Sequence, residues 1–323
     1  MTASRSSRWR WASTASPACE RATHDDEEDP LDTQPILDEV EYKNGLRREW
    51  REAAPGWQRW LEVLEADEAM PRIGRPLLEA AKLTPGDHVL DVGSGYGEPG
   101  LTAARMVDPG GHVTLQDLSG EMLATARARA ETADLDDVEI EIVECDADEL
   151  APPAGRFDAV LARSVLMYLT DPETTLARLR AGLRPGGRLA ASTWAGPEQV
   201  GFAAPVAVIR RMLDLPPPSA DRPGLFAFAD PQRLHEATTG AGFTDVELDT
   251  ATVVFTFTSP AEATRFLRDC APPVTALVES EPQDLRRRVW RQVTEEAWNP
   301  YLDADGRVRL TNLAHVVTAT NPE

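Results

Sequence analysis

Beyond residue 35, hydrophobic and polar positions follow two alternating rhythms. Short apolar runs of strand type stand at 88–92, 112–116, 140–144, 159–162 and 188–193, and again at 245–257 and 313–318. Between the earlier runs, segments 101–107, 120–132 and 173–182 carry apolar positions three and four apart, which predicts helices. Strand, helix and strand in repetition predict a parallel sheet covered on both faces, with right-handed crossovers. A further helix is expected at about 73–81. Before it, 35–64 is helical in pattern, with Trp50, Trp57 and Trp60 near the helical period; Pro55-Gly56 predicts two short helices joined by a turn. After Trp194 the rhythm breaks into a proline-rich insertion, 195–229, around one helix. A helix at 231–241, closed by Gly242, and a mostly helical stretch at 260–301 follow.

Composition narrows the class. At 42% hydrophobic residues the chain can bury a sizeable core, and no apolar run approaches the ~20 residues of a membrane span. A formal charge of −21 disfavours nucleic acid and anionic membrane as partners. The three cysteines, Cys19, Cys145 and Cys270, are scattered without metal-ligand spacing. No metal, no disulfide framework and a reduced, cytoplasmic setting are therefore expected. Residues 1–34 differ in kind: Ser, Ala and Arg dominate up to Cys19, and an acidic run follows at 25–29. They read as a disordered tail, with a targeting segment or an upstream start codon as alternatives.

The chemistry concentrates where the first strand ends. In "HVLDVGSGYGEPGLTAARMV" the apolar run meets Asp91, then Gly93, Gly95 and Gly97, then a helix. Glycines permit a tight strand-to-helix turn and let a ligand approach the backbone, and the helix start favours a polar or anionic group. That alone says only that a nucleotide is a suitable ligand. The second strand ends at Asp117, roughly 20 residues on, where an acid can accept hydrogen bonds from both ribose hydroxyls. Ser119 supplies the cap of the following helix, leaving Asp117 free for that task. Asp146, just past the third strand, can accept an adenine amine, with Ala147 offering a neighbouring amide.

"VLDVGSGYG", "QDLSGEML", "ECDADEL", "FDAVLARSVLMYLTD" and "LRPGGRLAAST" resemble, in order and spacing, the motifs of class I S-adenosylmethionine-dependent methyltransferases. The likeness covers roughly 73–194, and the nearest group by motif is the ubiquinone/menaquinone C-methyltransferase-like one. The resemblance implies an α/β, Rossmann-like, doubly wound sheet of seven strands, mostly parallel with the last antiparallel, and helical lid insertions. It implies a helical lid at 35–72, a cofactor-binding core at 73–194 and a sheet-completing, substrate-covering part at 195–323. It also implies S-adenosylmethionine as cofactor. Asp91 and the three glycines would lie beneath its methionine portion and Asp117 on its ribose. Leu118 and Met122 would flank the adenine, with Asp146 and Ala147 at its edge. Arg163 and Ser164 would face the methionine end, although Arg163 could instead pair with Glu98.

Methyl transfer from a sulfonium is an in-line displacement, in which the protein aligns the partners and excludes water. No histidine declares itself as a general base, so the catalytic residues stay unassigned. Tyr42, Trp50, Trp57 and Trp60 could form an aromatic lid or simply pack on the sheet. Tyr42, Trp50 and Trp57, with Met167 and Tyr168, are the candidate substrate contacts; Phe226, Phe228 and Trp290 could add to the walls. The expected substrate is a small, hydrophobic or aromatic oxygen or carbon nucleophile, and the expected state a monomer or homodimer. The alternatives are a nicotinamide-dependent oxidoreductase and a non-catalytic cofactor-binding module. Glu98, where the dinucleotide fingerprint needs glycine, speaks against the first.

Overall fold

The strand runs fold into one sheet whose central strands bury both faces. The computed structural model describes residues 9–12, 38–66, 69–135, 137–216 and 222–322. In chain order these form β1 (Trp9–Ala12), α1 (Glu39–Ala66), α2 (Ala69–Ala81), β2 (His88–Val92), α3 (Gly100–Val107), β3 (His112–Asp117), α4 (Gly120–Thr132), β4 (Glu139–Glu144) and β5 (Phe157–Arg163). Then come α5 (Pro172–Gly182), β6 (Leu183–Trp194), α6 (Ala203–Met212), α7 (Pro231–Gly240), β7 (Thr244–Phe257), α8 (Pro260–Cys270), α9 (Pro272–Glu279), α10 (Gln283–Gln292) and β8 (Val308–Thr320). No helix among the described residues is long and apolar enough to cross a membrane.

The strand order is β1-β4-β3-β2-β5-β6-β8-β7. Pairing is parallel from β1 to β6, while β8 runs antiparallel to both β6 and β7. The seven expected strands are all present and the last is antiparallel, as expected. An eighth, β1, lies inside the segment read as a tail and pairs with β4, where it covers backbone groups that an edge strand would leave open. The rest of the tail expectation falls outside the described residues.

Alternation sets the two cores. On β5, Val160 and Ala162 face the layer containing α1, α5, α7 and α8, while Ala159 and Leu161 face α2, α3 and α4. All four are fully buried. Every crossover therefore lands on apolar surface, and the loops carrying the acids and glycines collect at the carboxyl ends of the strands.

One expectation is corrected. Residues 39–66 form one continuous helix, with Pro55 inside it, rather than two helices joined by a turn. Proline removes a backbone donor and crowds the carbonyl four residues earlier, but packing holds both halves of α1 down. Ala53, Ala54, Trp60, Leu61 and Leu64 are buried, and the Trp60 indole donates to Asp269 Oδ2 at 3.0 Å. Gly56 serves close approach instead of a turn: a Cβ there would fall 2.0 Å from the Asp269 carbonyl oxygen. Pro55→Ala should therefore raise the melting temperature by restoring a helical hydrogen bond. Gly56→Val should lower it by at least as much, because the clash is with backbone; thermal unfolding of the two variants checks both.

Candidate functional site

The turn after β2 is shaped by groups at the end of β3. Gly93, at φ +62°, leaves no room for a side chain, since a Cβ would meet Val165 at 2.7 Å. Its amide donates to Gln116 Oε1 at 3.1 Å, and the Gly95 amide donates to Asp117 Oδ2 at 2.9 Å. Gln116 Nε2 donates onward to the Cys145 carbonyl at 2.5 Å, so one buried side chain ties three strand ends together. Asp117 Oδ1 accepts the Ser119 amide at 2.8 Å, and Ser119 Oγ caps α4 by accepting from the Met122 amide at 3.3 Å. Burial pushes the Asp117 carboxyl up to about 6, against three backbone donors that favour its charge.

Behind the turn, Asp91 is fully buried and its Oδ2 accepts the Gly100 amide at the start of α3, at 2.8 Å. Oδ1 has no partner among the described residues. Burial, opposed by Arg163 and the Gly100 donor, pushes this carboxyl up to about 7. Gly97 packs against Leu101 and Ala126. Asp91 and Gly97 thus stand one layer behind the cleft wall.

The cleft above has about 870 Å³ of empty space, its open mouth included. Of the expected cofactor contacts, Gly93, Gly95, Asp117, Leu118, Met122, Asp146, Ala147, Arg163 and Ser164 line it. Trp50, Trp57 and Tyr168 line it from the expected substrate set, and Leu46, Tyr96, Gln116, Val165 and Leu169 complete the wall. Tyr42 reaches across from α1, its hydroxyl donating to the Tyr168 carbonyl at 3.1 Å.

The cleft is electrostatically two-ended. At one end stand Asp117 and Asp146; burial raises the Asp146 pKa, and Lys43 opposes that shift. Lys43 Nζ lies 3.3 Å from Asp148, 3.2 Å from Glu39 and 3.8 Å from Asp146, so it fastens α1 to the loop after β4. At the other end Arg163 donates to the Tyr96 hydroxyl at 3.2 Å, with its guanidinium 5.3 Å from that ring. Its Nη1 is buried without a partner among the described residues. Of the two roles left open for Arg163, pairing with Glu98 is not the one formed: Glu98 takes Arg129 at 3.2 Å and the Thr102 hydroxyl at 2.7 Å.

A second chamber, with about 790 Å³ of empty space including its open mouth, adjoins the cleft and shares Trp50, Trp57, Ser164 and Tyr168 with it. Its other walls are Ile73, Met167, Trp194, Phe202, Leu225, Phe255 and residues 266–267 and 270–274. Met167 therefore faces this chamber and not the cleft. Trp60 belongs to the core, Phe228 is buried beneath Arg233, and Trp290 is buried beneath Arg268. None of these three lines either cavity, and neither does Phe226. Cys145 is buried and disulfide-bonded, which departs from the expected reduced setting, while Cys270 is free. No described histidine lines either cavity; His315, for one, sits against the Ala229 carbonyl at 3.1 Å.

Sequence reasoning passed over Lys43, Tyr96 and Gln116. Gln116 carried a signal, a polar residue inside an apolar strand one place before the acid. Lys43 and Tyr96 owe their roles to contacts distant in sequence.

Residues 89–187 match the family model described as a methyltransferase domain. The chain is 31% identical over 184 residues to nocamycin O-methyltransferase of Saccharothrix syringae, which covers 54% of this chain and 65% of that protein. It is 33% identical over 112 residues to the ubiquinone/menaquinone biosynthesis C-methyltransferase of Pseudomonas fluorescens, covering 35% and 43%. The first curated relatives it matches are spanned over only 40–45% of their length. Among solved structures, a phosphoethanolamine N-methyltransferase from Haemonchus contortus, in complex with phosphomonomethylethanolamine and S-adenosylhomocysteine, superposes with TM-score 0.52 at 18% identity. That match covers 87% of this chain and 61% of that one, and it speaks to the fold alone.

Asp91 gives this arrangement a stability test. Its raised pKa favours the protonated carboxyl in the folded protein. Wild-type stability relative to Asp91→Asn should therefore fall as the pH rises from about 4 to about 7, then level off. Asp91→Ala, which orphans the Gly100 amide, should cost about 1–3 kcal/mol at pH 6 in denaturant unfolding.

Proposed function

We propose that this chain, a member of the class I S-adenosylmethionine-dependent methyltransferases, moves a methyl group from that cofactor to a small hydrophobic or aromatic acceptor. The carrying observation is the two-ended cleft opening into an apolar chamber. Its donors and acceptors suit the cofactor end for end. Asp117 and Asp146 are acceptors for ribose hydroxyls and an adenine amine, and the unpaired Nη1 of Arg163 is a donor for an amino-acid carboxylate. Leu118 and Met122 offer apolar faces to the adenine ring. The backbone of Gly93 and Gly95 allows approach where a Cβ would intrude.

The bound cofactor supplies an activated methyl on a sulfonium. The chain's own contribution is alignment and exclusion of water. The first turns of α1 lie over the cleft through Lys43 and the Tyr42 hydroxyl, and Trp50 and Trp57 line the junction with the chamber. Residues 39–66 act in this reading as the lid, and the elements after β6 as the acceptor cover. The names of the O- and C-methyltransferase relatives support an oxygen or carbon acceptor. The same reading has no nucleic-acid partner, supported by the formal charge of −21, and takes the protein as a cytoplasmic monomer or homodimer.

Calorimetric titration tests it. S-adenosylmethionine and S-adenosylhomocysteine should bind and NAD should not; tight NAD binding without response to the other two would contradict the proposal. Asp117→Ala should weaken S-adenosylhomocysteine about 10- to 100-fold. Ribose hydroxyls favour the carboxylate form of Asp117. Wild-type affinity should therefore be full above about pH 6 and decline as the pH falls through it, and Asp117→Asn should flatten that dependence.

A further inference from the structure

Trp57 lines both the cleft and the chamber, where a methyl group would change hands, and it carries a buried donor without an acceptor among the described residues. The Trp57 indole nitrogen is buried and has no partner among the described residues. Its ring is held on two sides, stacked on Tyr96 at 5.8 Å and edge-on to Phe266 at 6.2 Å. The indole cannot swing to find water without giving up both contacts. Trp60, three residues along the same helix, does have its acceptor in Asp269.

An indole N–H donates and never accepts, and a guanidinium behaves the same way. Arg163 lies against the same Tyr96 ring that Trp57 stacks on. The cleft wall beside the junction therefore carries the indole donor and a guanidinium, and a sulfonium there would add positive charge. Beyond it the chamber offers ring faces from Trp194, Phe202, Phe255 and Phe266.

We infer, resting on the methyltransferase reading, that the methyl acceptor is the oxygen of a phenol or enol on a flat apolar ring system, held by a hydrogen bond from the Trp57 indole. Oxygen keeps a lone pair for this donor while a second attacks. An aryl amine has its one lone pair delocalised into the ring, and a protonated amine has no lone pair to offer the indole. In the transfer, an oxygen lone pair forms the O–CH3 bond as the S–CH3 bond breaks. The bond's electrons return to sulfur, and the hydroxyl proton leaves to solvent water.

Binding of three probes of matched shape tests this in the presence of saturating S-adenosylhomocysteine: 1-naphthol, 1-naphthylamine and naphthalene, followed by probe fluorescence. Naphthol should bind about ten-fold more tightly than either of the others, the difference one well-made hydrogen bond supplies. Trp57→Phe, which keeps the ring contacts, should reduce naphthol to the level of naphthalene. Equal binding of naphthol and naphthylamine, a naphthol preference that survives in the variant, or no binding of any probe would each overturn the inference. S-adenosylhomocysteine binding is measured first. Its failure would remove the methyltransferase reading, whereas its success with undiscriminated probes would remove only the oxygen assignment. The comparison among probes in the wild-type protein stands even if the variant does not fold.

Discussion

The end of β3 holds the turn after β2, and the cleft exists because of it. Gln116 and Asp117 accept the amides of Gly93 and Gly95, fixing a backbone path that residues with side chains could not follow. Gln116 also donates to the carbonyl of Cys145, so the ends of β2, β3 and β4 are set relative to one another by one amide group. This costs the protein a buried carboxylate at Asp117, with a pKa raised to about 6. Three backbone donors favour its charged form, and a carboxylate keeps lone pairs beyond those for a ligand. The same groups thus shape the site and make it receptive.

Around that fixed turn the polarity of the cleft is arranged in order. Acids stand at the ends of β3 and β4, and the guanidinium of Arg163 at the end of β5. Helix α1 adds its own charge at the acidic end, where Lys43 sits among Glu39, Asp146 and Asp148. This keeps three carboxylates close together without mutual repulsion dominating. It also ties α1 to the loop that carries Asp146. The far half of α1 is held by apolar burial, which lets the helix run through Pro55.

Much of this was legible in the sequence where local pattern carries the cause. The seven strands follow from apolar runs at regular spacing, and Asp117, Asp146 and the glycines follow from their places at strand ends. Ser119 as the α4 cap was readable for the same reason. Other features depend on contacts between distant segments. Proline-glycine in a helical pattern signals a turn, and only the close crossing of α1 over α8 at Gly56 overrides it. The role of Tyr96 depends on Trp57, Arg129 and Arg163 converging on its ring from three other elements. The chamber is likewise built from α1, β6, β7, α8 and α9, and periodicity within any one of them cannot aim its side chains at the others. Trp50 and Trp57 were found because aromatic residues cluster there, whereas Phe226, Phe228 and Trp290 show that an aromatic residue in a covering segment more readily fills core.

The central claim is that this cleft orients an adenosyl cofactor from the acids toward Arg163. A crystal structure of the protein with S-adenosylhomocysteine tests it most directly. The account predicts both ribose hydroxyls on Asp117, the adenine amine at Asp146, the carboxylate at Arg163 and the sulfur facing the chamber beside Trp57. A ligand bound in the reverse direction, or outside the cleft, would contradict it.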